Sequence, residues 1–235
     1  MRTLGKVLLL AGLFGLVTAA QAQRQRQPGF GGFGGFGGPG MLLQNKSVQE
    51  ELKLTEDQKG KITKKSEELS AKRREAFGKL RDLPEDERRE AFTKLGKEMA
   101  EESTKMAKDV LKPDQYKRLE QIQLQVQGVR AFSDEKVQKA LKLDDEQREK
   151  IKTITDDFTK DSQEVFRDVG RDFQKMPEAM KKVQNLNKEA TEKAVSLLNA
   201  NQKKTWKELT GEPFTIKMEG FGRGFGKDRP KKKDF

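Results

Sequence analysis

The chain has 235 residues, a formal net charge of +11, no Cys, no His, one Trp and one Tyr. Charged residues make up 37% and hydrophobic ones 33%, against roughly 25% and 45–50% in an ordinary globular domain. Without His or Cys there is no catalytic triad, zinc finger, thiol couple or imidazole ligand, and only a carboxylate site for a hard cation is left to look for.

Residues 1–22 read as a signal peptide. Arg2 and Lys6 form the basic start, Val7 to Thr18 the apolar stretch, and Ala20-Gln21-Ala22 a small-x-small cleavage site that leaves Gln23 as the new N-terminus. The apolar run is shorter than the ~20 residues a membrane span needs. The expectation is therefore an exported protein of the periplasm or cell envelope, with no transmembrane span after cleavage. Residues 23–46 read as a disordered linker, because Gln23 to Gly40 is low-complexity Gly/Phe sequence with too little apolar surface to offset its ordering entropy.

Between 47 and 214 the sequence predicts an all-α fold with long amphipathic, coiled-coil-like helices. Apolar residues recur at helical spacing in Phe92, Leu95, Met99, Met106, Val110; in Ile151, Ile154, Phe158, Val165, Val169; and in Val183, Leu186, Ala190, Ala194, Leu197. The segment Gln121 to Gln127 alternates like a strand but continues a helical stretch, and is read as helix. Turns are expected at Asp82-Leu83-Pro84 and near Met176-Pro177.

The chain also repeats itself. Val48 to Leu54 matches Val137 to Leu143 at an offset of 89, and Glu102, Ala107, Leu111 and Gln115 match Glu189, Ala194, Leu198 and Gln202 at an offset of 87. Two copies of one helical-hairpin unit, 47–128 and 133–214, follow. Gly128 is expected to end the first and Ser133 to cap the second.

Each copy holds two Leu-x-x-x-Gln elements: Leu54-Thr55 with Gln58, Leu111 with Pro113 and Gln115, Leu143-Asp144 with Gln147, and Leu198-Asn199 with Gln202. Thr55, Asp144 and Asn199 are good N-caps, and a Gln three residues on can bond back to the cap's N–H. Pro113 suits the first helical position.

With these motifs the sequence resembles the Spy/CpxP family of periplasmic proteins, whose paired LTxxQ motifs mark a small all-helical fold. Leu52 to Gln58 is similar to the first motif and Val110 to Gln115 to the second; Leu83 to Arg89 resembles the family's basic hairpin segment. Only the first motif is a strict LTxxQ. The resemblance implies an ATP-independent chaperone that holds unfolded envelope proteins on a basic and apolar surface. Family members form a thin curved dimer, so two tandem units imply either a monomeric pseudo-dimer or a homodimer.

The residues themselves offer a matching surface. Arg73, Arg74 and Phe77 precede the first turn, and Arg88, Arg89 and Phe92 follow it; Phe166 and Arg167 are a sparser version in the second copy. Across a hairpin they form a basic surface with interleaved aromatics, suited to weak apolar and charge contacts with an unfolded chain. The alternative is that Phe77 and Phe92 are hairpin core and the arginines a solvated face paired with Glu75, Glu85, Glu87 and Glu90.

No nucleophile-and-base arrangement appears, so no enzyme is expected. The carboxylate clusters Asp144-Asp145-Glu146 and Asp156-Asp157 lack calcium-loop spacing, so neither metal nor cofactor is expected. Residues 215–235 read as a disordered basic tail of +4, while residues 47–214 carry 37 basic and 35 acidic side chains. The positive excess thus sits mainly on the ends. That argues against nucleic acid as the partner. It supports a second reading: an envelope structural or interaction protein whose Gly/Phe tails bind anionic wall or membrane polymers.

Overall fold

A computed structural model describes residues 38–170 and 172–217; the signal peptide expected over 1–22, residues 23–37 of the expected linker and the expected basic tail from 218 on lie outside the described residues. What is described belongs to one contact unit and is all-helical. The helices are α1 (Pro39–Gln44), α2 (Lys46–Glu51), α3 (Glu56–Arg81), α4 (Glu85–Val110), α5 (Pro113–Gln127), α6 (Glu135–Leu141), α7 (Asp145–Val169), α8 (Met176–Ser196) and α9 (Ala200–Thr210), with 3-10 turns at Gly128–Ser133 and Phe173–Lys175. None of the described helices is long and apolar enough to cross a membrane.

Two hairpins dominate. α3 packs along α4 and α7 along α8, each pair joined at one end by a short turn. Their bases are closed by the short helices, which the chain's two copies use in the same way. In the first copy α1 packs against α3, α4 and α5, burying Leu42 and Leu43. In the second the 3-10 turn at Gly128–Ser133 packs against α5 to α8 and buries Val129, Ala131 and Phe132. Gln49 Nε2 donates to Leu43 O at 2.7 Å, and its counterpart Gln138 Nε2 donates to Phe132 O at 2.9 Å. Lys53 and Lys142, again 89 apart, both take the left-handed conformation (φ 49° and 52°) that turns the chain from the short helix into the long one.

Several boundaries differ from the sequence reading. Residues 39–44, expected to belong to the disordered linker over 23–46, are helical, because Leu42 and Leu43 bury completely. The cap of α6 is Asp134, not Ser133, its side chain accepting from Lys136 N at 2.7 Å. The second turn lies at Gly170 (φ 54°) and the 3-10 residues after it, while Pro177 sits in the first turn of α8, where its missing N–H costs nothing. Residues 215–217, expected to belong to the tail, are held against the body, where Ile216 packs with Phe214 on the first copy's core.

The two hairpins are unequal inside. The α7–α8 seam is apolar, with Phe158, Val165, Val169, Ala179 and Val183 buried in one cluster that continues to Trp206. At the offsets of 89 and 87, Ser162, Val165 and Val183 correspond to Arg73, Ala76 and Gly96 of the first hairpin. Ser162 and Val183 are buried; Arg73 and Gly96 are exposed, and a Cβ added at Gly96 would meet nothing within 4 Å. The first hairpin's seam is instead crossed by ion pairs, Lys65–Asp109 at 2.8 Å and Lys72–Glu102 at 2.9 Å. Exposed pairs of this kind contribute about 0–1 kcal/mol each. The outer half of this hairpin is therefore held weakly.

Candidate functional site: the outer half of the first hairpin

Phe77 on α3 and Phe92 on α4 meet edge-on with centroids 5.6 Å apart. Phe77 is half-buried, whereas Phe92 is 56% exposed. Only Leu80 and Leu95 are buried nearby, and neither belongs to the two core clusters. The aromatic pair is thus a small apolar island on the surface rather than the end of a core.

Arginines surround it. The Arg73 guanidinium lies 5.4 Å from the Phe77 centroid, and Ser70, Arg73, Arg74, Phe77, Gly78 and Arg81 line an open groove along one face of α3. Arg88 Nη2 donates to Leu83 O at 2.8 Å and closes the turn. Among the described residues none of Arg73, Arg74, Arg81, Arg88 and Arg89 forms an ion pair. The pairing expected with Glu75, Glu85, Glu87 and Glu90 is not made; Glu75 pairs with Lys79 at 2.8 Å, whose hydrogen bond holds the Glu75 carboxyl below the usual carboxylate range. The Lys72 ammonium is likewise held above the usual lysine range by its hydrogen bond to Glu102. Lys79 and Lys72 thus take Glu75 and Glu102, while the five arginines, exposed on α3 and α4, form no ion pair among the described residues.

The second copy does not build the same surface. Phe166 is half-buried and packs against the second core, and Arg167 stands beside Glu164 at 4.0 Å.

The motif residues form a different device. Thr55, Asp144 and Asn199 cap α3, α7 and α9, each accepting from the N–H of the Gln three residues on. Lys112 has no acceptor, so α5 has only the return bond from Lys112 N to Gln115 Oε1, at 2.9 Å, with Pro113 in its first turn. Beyond the caps, the Gln side chains pair. Gln58 Nε2 donates to Gln115 Oε1 (2.7 Å) and Val110 O (2.9 Å); Gln115 Nε2 donates to Gln58 Oε1 (3.3 Å) and Leu52 O (3.0 Å). With the two cap bonds, both amides use all their donors and acceptors. Gln147 and Gln202 repeat the arrangement, donating to each other at 2.9 and 2.8 Å and to Leu197 O and Lys142 O. Leu54, Leu111, Leu143 and Leu198 are all buried beside these locks. The four motifs are structural clasps at the hairpin bases, remote in sequence from the arginine–phenylalanine surface.

Three elements carried no signal in the sequence reading. Asn187 joins the copies, accepting from Val129 N at 3.2 Å and donating to Val126 O at 3.3 Å; a Cβ at Gly128 (φ 57°) would strike it. Arg130 stacks over Phe158 at 4.8 Å. Phe132 stacks on Trp206 at 4.3 Å. A group of acidic residues placed to hold a metal ion does not occur among the described residues. Compared with protein-family models, curated proteins and solved structures, the chain matches none.

Proposed function

We propose that the chain is an exported, ATP-independent holdase of the cell envelope, built from two tandem hairpins of the Spy/CpxP type, and that the Phe77–Phe92 island with its arginines holds unfolded clients. The observation that supports this most is the exposure of Phe92 beside guanidinium groups that form no ion pair among the described residues. Burying two phenylalanines, one already half-covered, is worth roughly 3 kcal/mol, and open positive charge raises encounter rates rather than affinity. Such a contact releases its client without nucleotide, and a weakly held hairpin can adapt to many shapes.

The test is light scattering of a chemically denatured client diluted into buffer without ATP, with the signal-free chain and a variant ending at Lys217. Equal suppression of aggregation by both supports a helical surface as the holding site. An inactive shortened chain whose removed tail still carries anionic-polymer binding overturns it in favour of the tail-driven structural reading.

A further inference from the structure

After α9 the chain does not leave the body. Gly211 (φ 64°) turns it back, and a Cβ there would run into Gln121 of α5. Residues 212–217 then cross the base of the first copy between α2 and α5 without forming a helix. Phe214 and Ile216 are half-buried against the first copy's core, while Glu212, Pro213, Thr215 and Lys217 are exposed. From 214 to 217 this in-out alternation has the period of an extended chain.

The body grips the main chain of this strap. Arg118 Nη1 donates to Glu212 O at 3.0 Å, and Gln125 Nε2 donates to the same oxygen at 2.8 Å. Phe214 N donates to Gln125 Oε1 at 2.8 Å, Lys217 N donates to Ser47 Oγ at 3.1 Å, and Asn45 Nδ2 donates to Lys217 O at 2.8 Å. Arg118 is itself fixed by Glu51, with Nε and Nη2 at 2.8 and 2.7 Å. Each of these bonds between body and strap pairs a side chain of the body with a backbone group of the strap. Recognition of this kind reads an extended backbone and two apolar pockets, and little else of the sequence.

We propose that the α2–α5 groove is a binding site for extended segments of other polypeptides with apolar residues at alternate positions, and that the strap is its built-in competitor. The proposal stands apart from the surface on the first hairpin and does not need it. Because the strap is tethered, it competes at an effective concentration of about 1 mM; with an intrinsic dissociation constant of about 100 μM, it would weaken binding in trans about tenfold.

The experiment uses the full chain and a labelled peptide of the strap's own sequence, Gly-Glu-Pro-Phe-Thr-Ile-Lys. In the double variant Phe214→Asp/Ile216→Asp the apolar anchors are lost and every receiving side chain is kept. Fluorescence anisotropy should show this variant binding the peptide about tenfold more tightly than the parent chain. Adding Gln125→Ala should weaken that binding, and a peptide with Phe and Ile made adjacent should bind poorly. A folded released variant that ignores the peptide, or binds the rearranged one equally, overturns the proposal. So does a dimer that forms by exchange of straps, which would make a second copy the occupant. If the released variant unfolds, hydrogen exchange of the parent chain with saturating peptide decides: the amides of Phe214 and Lys217 should lose protection, and unchanged protection refutes the groove.

Discussion

Replacing Gln58 with Ala removes the centre of the first clasp, and its cost can be worked bond by bond. The side chain donates to Val110 O and Gln115 Oε1 and accepts from Thr55 N and Gln115 Nε2. Gln115 keeps Leu52 O and Lys112 N as partners, so the groups left unpaired are Val110 O, Thr55 N and half of the Gln115 amide. At about 1 kcal/mol net per hydrogen bond, with more where a group stays dry, the loss is roughly 3–4 kcal/mol. Gln115→Ala should cost a similar amount. The double variant should fall short of the sum by about 1–2 kcal/mol, since the two bonds between the amides are lost in either single variant. Urea denaturation followed by circular dichroism measures all three. Strict additivity, or a Gln58→Ala cost under about 1 kcal/mol, would mean that the amides cap their own helices and do not clasp each other.

Other outcomes follow from the same geometry. Phe132→Ala should cost about 3–5 kcal/mol and red-shift the emission of the single tryptophan, Trp206, which it now stacks against. Gly78→Ala and Gly96→Ala, where a Cβ meets nothing, should each stabilise the first hairpin by up to about 1 kcal/mol and slow hydrogen exchange in α3 and α4. Thermal stability should show no step between about pH 5 and 8, because the chain has no His. Glu75 and Asp109 are held below their usual range chiefly by hydrogen bonds from Lys79 and Lys65. Their contribution is present above the unfolded carboxylate range and lost as the pH falls through their lowered values. Lys72, Lys79, Lys150 and Lys152 are raised, so theirs is lost only as the pH climbs above the usual lysine range; a pH titration of the melting temperature checks both limbs.

How far the sequence could be read depended on the range of the forces involved. The helices and their caps are local: Thr55 and Gln58 lie three residues apart, and their pairing is visible in one turn. The clasp was not legible, because Gln58 meets Gln115 only after α3 and α4 have folded back. Leu42 and Leu43 were lost in a stretch whose Gly and Pro content argues for disorder, though two buried leucines suffice once α3, α4 and α5 offer them a seat. The strap's alternation spans only Phe214 to Lys217, too short to count as a pattern. At the tip, the sequence brought Phe77 and Phe92 to facing positions but left open whether they were core. The deciding fact is the exchange of Ser162 and Val183 for Arg73 and Gly96, which removes the apolar seam that would have covered them.

The holding surface is tested most directly by Phe77→Ser/Phe92→Ser in the full chain, read as suppression of client aggregation. Since one ring is exposed and the other half-buried, the variant should keep its helical content and cooperative melting. It should lose most of its suppression, while Phe166→Ser in the second hairpin leaves suppression in place. A folded Phe77→Ser/Phe92→Ser variant that protects clients as well as the parent chain would contradict the assignment of holding to this surface.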